Sequence, residues 1–186
     1  LEFSDHMGMP LQEALRFVHN TLVGAGVRDS IRVGASGKIV SAFDMARALA
    51  LGADWCNSAR GFMFALGCIQ AQTCHSGNCP TGVTTQDPTR QLALVVPSKA
   101  ERVHNFHTHT LEALQELMEA SGLQTPHDFT PRHIMRRVSE TQTLHLSDLV
   151  ETVQADALLN EDVSALPAVF SDWPLTSGKS FAIQEN

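Results

Sequence analysis

Runs of lysine and arginine are missing from this sequence, and so is any apolar run near the ~20 residues that a membrane helix needs. The first absence removes the electrostatic footprint of nucleic-acid binding or of docking on anionic lipid. The second excludes a transmembrane helix. No basic segment followed by an apolar one opens the chain, so the expectation is a cytoplasmic protein with neither nucleic acid nor membrane as partner. There is no HExxH and no histidine-rich ligand set, which leaves zinc-dependent hydrolysis without support. Internal repeats and low-complexity segments are also absent. Cysteine is scarce, with four among 186 residues, yet three of the four fall between Cys68 and Cys79. In a reducing compartment such clustering points to metal binding or chemistry before disulfides.

The remaining composition, 43% hydrophobic and 18% charged with a formal net charge of −7, is that of a soluble domain with a sizeable core. The chain begins at Leu1 and enters LEFSDHMG, which has the form of a strand end and its loop. The expectation is that the front of the natural protein precedes Leu1. Leu11, Ala14, Leu15, Val18 and Leu22 recur at helical spacing behind Pro10, with Gly24 and Gly26 as the stop. A β-branched run from Val27 to Val33 predicts a strand that ends in the GASG turn. Ser41 and Asp44 form a capping-box start for the apolar helix FDMARALALG, closed by Gly52, and ADWCN then predicts a second short strand. That alternation of helix, strand and glycine-bearing loop belongs to a parallel α/β sheet or barrel.

Ser98 and Glu101, after Pro97, predict a second capping box opening a long helix that ends near Gly122. A shorter helix is expected after Pro131 and another over Leu146 to Leu159, whereas the polar, proline-bearing stretch from Asn160 predicts an irregular tail. His104, His107 and His109 fit a solvated helix face better than a metal site. Arg136 and Arg137 fit a solvated pair.

Two loops carry chemistry by composition. Gly34-Ala35-Ser36-Gly37 and Asn57-Ser58-Ala59-Arg60-Gly61 each follow an expected strand. Glycine lets a phosphate approach the backbone, Ser36 and Ser58 add hydroxyl donors, and Arg60 adds charge. The same glycines also serve a plain strand-to-helix turn, and both readings stand. The segment CIQAQTCHSGNCPTG, from Cys68 to Gly82, spaces its thiols C-x5-C-x4-C-P. Iron–sulfur clusters require soft thiolates converging from an irregular loop, and Gly77, Pro80 and Gly82 suit that backbone. Three ligands match a three-iron cluster. Zinc on the same cysteines plus His75 is the rival, disfavoured because its usual close cysteine pair is replaced here by the looser spacings of five and four. Cys56, ending an apolar strand, fits a buried and inert thiol.

The stretches LEFSDH, RVGASGKIVSAFDMARALALGADWCNSARGFM, GCIQAQTCHSGNCPTGVTTQDP and VVPSKAERV together resemble the FMN-binding domain of the glutamate synthase family, in its stand-alone branch. The resemblance runs from about Leu1 to Leu159. It implies a fold, the C-terminal part of a (β/α)8 TIM barrel comprising the last two βα units. Residues 1–97 would hold this part with the cluster loop at 68–82, residues 98–159 a helical extension, and residues 160–186 the irregular tail. It also implies FMN and a 3Fe-4S cluster, with Cys68, Cys74 and Cys79 as cluster ligands. Gly34, Ser36, Gly37, Ala59, Arg60 and Gly61 fall in the region contacting the FMN phosphate.

The implied reaction is the reduction to glutamate of the imine formed from 2-oxoglutarate and ammonia, fed by an NADPH-linked subunit or ferredoxin. A complete barrel takes ~250 residues, so the isoalloxazine and substrate contacts would lie before Leu1. Asp5 and His6 sit where a loop of the catalytic face is expected, without an assignable role. Left alone, two barrel strands would keep open edges, so the missing barrel half or a second copy is an expected partner. A metal-binding or partner-docking fragment without flavin chemistry is the alternative.

Overall fold

The computed structural model of the chain describes residues 7–160 and 164–179. It is a mixed helix and strand protein. In chain order the elements are α1 (Leu11–Gly24), β1 (Gly34–Ser36), α2 (Ala42–Ala50), β2 (Trp55–Asn57), α3 (Arg60–Leu66), α4 (Pro88–Gln91), α5 (Val96–Ala120), β3 (Met135–Arg137) and β4 (Thr143–His145), interspersed with 3-10 turns. Two compact units emerge, one of Leu1–Ala35, Ala48–Trp55 and Phe129–Asn186, the other of Ser36–Arg47 and Cys56–Asp128. Among the described residues no helix is long and apolar enough to cross a membrane.

β1 and β2 are hydrogen-bonded neighbours. The strand expected over Val27 to Val33 is displaced: Arg28–Ser30 form a 3-10 turn and pairing begins only at Gly34. Arg28 explains the displacement. Its guanidinium donates to Ile31 O (2.7 Å), Gly52 O (3.0 Å) and Asp54 Oδ2 (2.9 Å), which pins the backbone in a turn. Asp54 in turn accepts the Val33 N–H at 2.6 Å, setting the start of β1. α2 begins as expected, with Ser41 N–H on Asp44 Oδ2 (3.0 Å) and Asp44 N–H on Ser41 Oγ (3.3 Å). Its buried face is alanine-rich: Ala42, Ala46, Ala48 and Ala50 are all nearly inaccessible.

α5 is the long helix expected, but it opens one residue before Pro97 from an extended Val95 and has no side-chain cap. The Ser98–Glu101 box therefore does not form. Proline needs no N–H partner in a first turn, so Pro97 can lie inside the helix and the start moves ahead of Ser98.

The largest departure is after residue 128. In place of a helix following Pro131 there is a single 3-10 turn, Pro131–His133, and then a hairpin with Met135 opposite His145 and Arg137 opposite Thr143. The Thr130 N–H is taken by His133 Nδ1 at 3.0 Å, so the turn closes on itself. Over Leu146 to Leu159 only the turns Leu146–Asp148 and Ala157–Leu159 form. The backbone there is claimed by α1: Arg16 Nε and Asn20 Nδ2 both donate to Glu151 O, and the Asp156 N–H donates to Val23 O. Val153, Leu158 and Phe170 make a small core with Phe17 and Trp173 packed against it.

His19 lies half-buried in this first unit, with Arg28 Nε donating to its Nδ1 at 3.3 Å. Burial first, then the Arg16 and Arg28 charges, push its pKa down to about 4. In the unfolded chain a histidine titrates near 6.5. The folded value being the lower, this contribution to stability is whole above about pH 6.5 and is lost as the pH falls towards 4. Full burial would make it ~3 kcal/mol; partial exposure and solvent screening leave about 1 kcal/mol. Urea unfolding should accordingly give a lower midpoint at pH 4.5 than at pH 7.5, and His19→Gln should flatten that difference. An unchanged pH dependence in the variant would remove His19 from the account.

Candidate functional site

The candidate site belongs to the second unit and is built outward from α3. That helix ends in a Schellman-type closure, with Gly67 at φ 108°, Gly67 N–H on Phe64 O (2.9 Å) and Cys68 N–H on Met63 O (2.9 Å). Lys99 Nζ and Arg102 lie beside Gly67, so cations meet the carbonyl end of the helix. Cys68 is thereby released from the helix end into the loop. Gln70 and Gln72 then adopt left-handed φ values of 56° and 58°, sharp reversals that keep the segment compact.

Cys74 opens a 3-10 turn that stops at Gly77. Ser76 Oγ donates to Thr73 O (2.8 Å) and accepts the Asn78 N–H (3.3 Å), which brings the chain round to Cys79. α4 straps the far side. Asp87 caps it through the N–H groups of Thr89 and Arg90, Arg90 reaches back to Asn78 O (3.2 Å) and Cys79 O (3.5 Å), and Thr85 Oγ1 donates to Gly77 O (2.5 Å). At Gly82, φ 75°, any side chain would strike the Arg90 carbonyl.

The loop therefore holds its three thiols around one small cavity. Cys68, Cys74 and Cys79 line it together with Met63, Thr81 and Thr84, and its volume is about 20 Å³. All four cysteines are free thiols. Cys79 is buried, Cys68 half-buried and Cys74 exposed, while His75 is exposed and contributes nothing to the wall. Among the described residues no three His, Cys, Asp or Glu groups converge to hold a single metal ion. A cluster spreads its thiolates over several irons, so its ligands surround a volume and need not meet at a point.

Electrostatics favour thiolate at Cys79. The Thr81 hydroxyl, 3.5 Å from Cys79 Sγ, and next the Thr84 N–H pull the Cys79 pKa down to about 6. Cys56 shows the opposite: burial pushes it up to about 11, as an inert thiol requires. The Thr84 hydroxyl, buried in the cavity wall, makes no hydrogen bond of ordinary geometry among the described residues and faces the Cys79 thiol, whose pKa it also helps to lower. A donor set of soft thiols, one of them tuned towards the anion, together with a hydroxyl facing it, fits an iron–sulfur group.

The two glycine-bearing loops are brought together as well. Ser58 Oγ donates to Ile39 O at 2.7 Å, tying the loop after β2 to the loop after β1. The roles within them divide. A side chain at Gly34 would run into the Trp55 indole at 2.5–2.7 Å, and one at Gly61 would meet Phe106 at 2.6 Å and Ser58 Oγ at 2.8 Å. Packing alone thus demands glycine at both positions. Gly37 takes φ 148°, and Ala59, which precedes Arg60, opens α3 with no side-chain cap. His107 stacks on Phe62 at 6.2 Å, and His104 and His109 are exposed, so the histidines gather no ligand set. Asp5 and His6 lie outside the described residues.

Thr81, Thr84 and Arg90 were not singled out by sequence reasoning. The signal available for them was position alone, in the run that follows Cys-Pro, and threonine is too common in turns to stand out there.

Similarity to known proteins converges on the same segment. The conserved region in glutamate synthase matches residues 1–124. Glutamate synthase large subunit-like protein YerD of Bacillus subtilis is 40% identical over 149 residues, covering 80% of this chain and 28% of YerD. The archaeal glutamate synthase (NADPH) of Methanocaldococcus jannaschii is 35% identical over 123 residues, 66% of this chain and 24% of that protein. Ferredoxin-dependent glutamate synthase 1 of Arabidopsis thaliana is 28% identical over 163 residues, 85% of this chain and 10% of that protein. The chain spans little more than a quarter of YerD and less of the other two. With a family match over residues 1–124 that includes the whole cysteine loop, this chain belongs to the glutamate synthase family.

Proposed function

We propose that this chain is the cluster-bearing portion of a flavin- and iron–sulfur-dependent, glutamate synthase-like oxidoreductase, one that forms glutamate from 2-oxoglutarate and ammonia. The observation that carries the reading is the loop itself: three free thiols around one cavity, in a segment inside the family match. Cys68, Cys74 and Cys79 hold the cluster. Ser36, Gly37, Ala59 and Arg60 bind the FMN phosphate through backbone N–H groups and the Arg60 charge, while Gly34 and Gly61 keep the adjoining strand and helix closely packed. When bound, the cluster supplies one-electron transfer and the flavin hydride transfer to substrate.

In this reading β1 with α2, and β2 with α3, are the last two βα units of a TIM barrel. Residues 1–97 form the barrel part, 98–159 an extension and 160–186 the tail. The electron donor is an NADPH-linked subunit or ferredoxin, and the protein works in the cytoplasm.

One observation favours a narrower second reading, a metal-binding fragment without flavin: two of the six phosphate-loop residues have their spare volume filled by Trp55 and Phe106. Anaerobic purification with iron, sulfide, zinc and FMN quantified separates the two. Iron and sulfide at cluster stoichiometry with FMN are expected. Iron without FMN would establish the narrower reading, and zinc alone would sink both.

A further inference from the structure

We propose that the Thr84 hydroxyl donates a hydrogen bond to a sulfur of the cluster held by the Cys68–Cys79 loop, and so raises the cluster's reduction potential. This rests on the cluster reading above. Thr84 lines the same cavity as the three cysteines, and its buried Oγ1 makes no hydrogen bond of ordinary geometry among the described residues but faces the Cys79 thiol. The other hydroxyls of that wall are already engaged: Thr81 Oγ1 faces Cys79 Sγ at 3.5 Å and Thr73 Oγ1 donates to Asn78 O at 3.4 Å.

The residue cannot readily turn away. Next to it, Thr85 is tied through its hydroxyl to Gly77 O, and that hydroxyl also accepts the Asp87 N–H at 3.1 Å. Gln91 Nε2 holds Thr85 O at 2.9 Å. The Thr84 hydroxyl is therefore presented to the cavity by backbone fixed from α4, and the Cys79 thiolate or inorganic sulfur there is the acceptor within its reach.

The consequence follows from charge. Adding one electron makes the cluster more negative, and that charge spreads onto its sulfurs. A donor aimed at sulfur stabilises the reduced form more than the oxidised one, so the potential moves in the positive direction. A water in the cavity, whose volume is about 20 Å³, is the competing partner for the hydroxyl.

The test uses the full chain, purified anaerobically as wild type, Thr84→Val and Thr84→Ser, with iron and sulfide measured first. Each is then titrated with dithionite, one electron per cluster, and followed by EPR. Valine keeps the shape and removes the donor; serine keeps the donor. The expected result is a midpoint shifted to more negative potential in Thr84→Val and close to wild type in Thr84→Ser. Loss of iron in the valine variant with retention in the serine variant would also support the hydroxyl. Full iron with one common midpoint in all three would overturn the proposal and leave the cluster reading standing. Loss of iron in both variants would overturn the hydroxyl assignment, and an iron-free wild type would overturn the cluster reading and this inference together.

Discussion

Cys74→Ser is expected to yield a folded chain with iron reduced at least about tenfold relative to wild type, because a serine hydroxyl is a hard, protonated and poor ligand where a soft thiolate is required. Cys74 suits the experiment better than its neighbours do. It is exposed, so the substitution creates no cavity and buries no new polar group. Cys79→Ser should lose iron equally, but Cys79 is buried beside Thr81, and a defect in that variant has two explanations. Cys56→Ala supplies the control. Its thiol is held protonated by burial and faces Met45 O at 4.0 Å, away from the loop, so iron should be retained. Circular dichroism establishes that the variants remain folded. Full iron in Cys74→Ser would remove Cys74 from the ligand set and with it the three-cysteine site.

The cysteine loop was legible because its signal is chemical and local. Three thiols in twelve positions, followed by proline and flanked by glycines, leave few structures open, and the loop does gather them round one cavity. α1, α2 and α5 were legible for a related reason: apolar residues recur at helical spacing over enough turns to dominate. The hydroxyls that tune the loop were not, since nothing in the word Val-Thr-Thr distinguishes the one that faces the cavity from the one bonded to Gly77.

The segment after residue 128 misled for a physical reason. Leu146, Leu149, Val150 and Val153 repeat at i, i+3, i+4 and i+7, the signature of an amphipathic helix. Leu146 and Val153 of that series are buried, at 2% and 8% exposed. The expected helix does not form, because the Glu151 carbonyl, which a helix would bond to the N–H four residues on, is bonded to Arg16 and Asn20 of α1 instead. Periodicity reports which side chains face the core. It does not report which partner takes the backbone, and here tertiary contacts decided that.

The polar composition of the tail hid a second feature, and Phe170→Ala should expose it. Within an otherwise irregular stretch Phe170 is 2% exposed, stacked on Phe17 with ring centroids 5.5 Å apart and edge-on to Trp173 at 6.5 Å. Val153 and Leu158 complete the contact, and Gly24 lets Leu158 approach α1 so closely that a methyl there would lie 2.7 Å from its Cγ. Truncation to alanine removes the ring from a site whose neighbours are fixed by the Trp173 Nε1–H donation to Leu158 O at 3.0 Å, so collapse into the space is restricted. The expected loss is about 3–5 kcal/mol. Against a domain stability of roughly 5–15 kcal/mol, that is enough to bring the unit close to its unfolding threshold. Urea unfolding followed by tryptophan fluorescence should show a markedly lower midpoint at unchanged slope, with the emission of Trp173 shifted to the red already at low denaturant. A loss below about 1 kcal/mol would mean that the tail contributes no core and that Phe170 is buried without being needed.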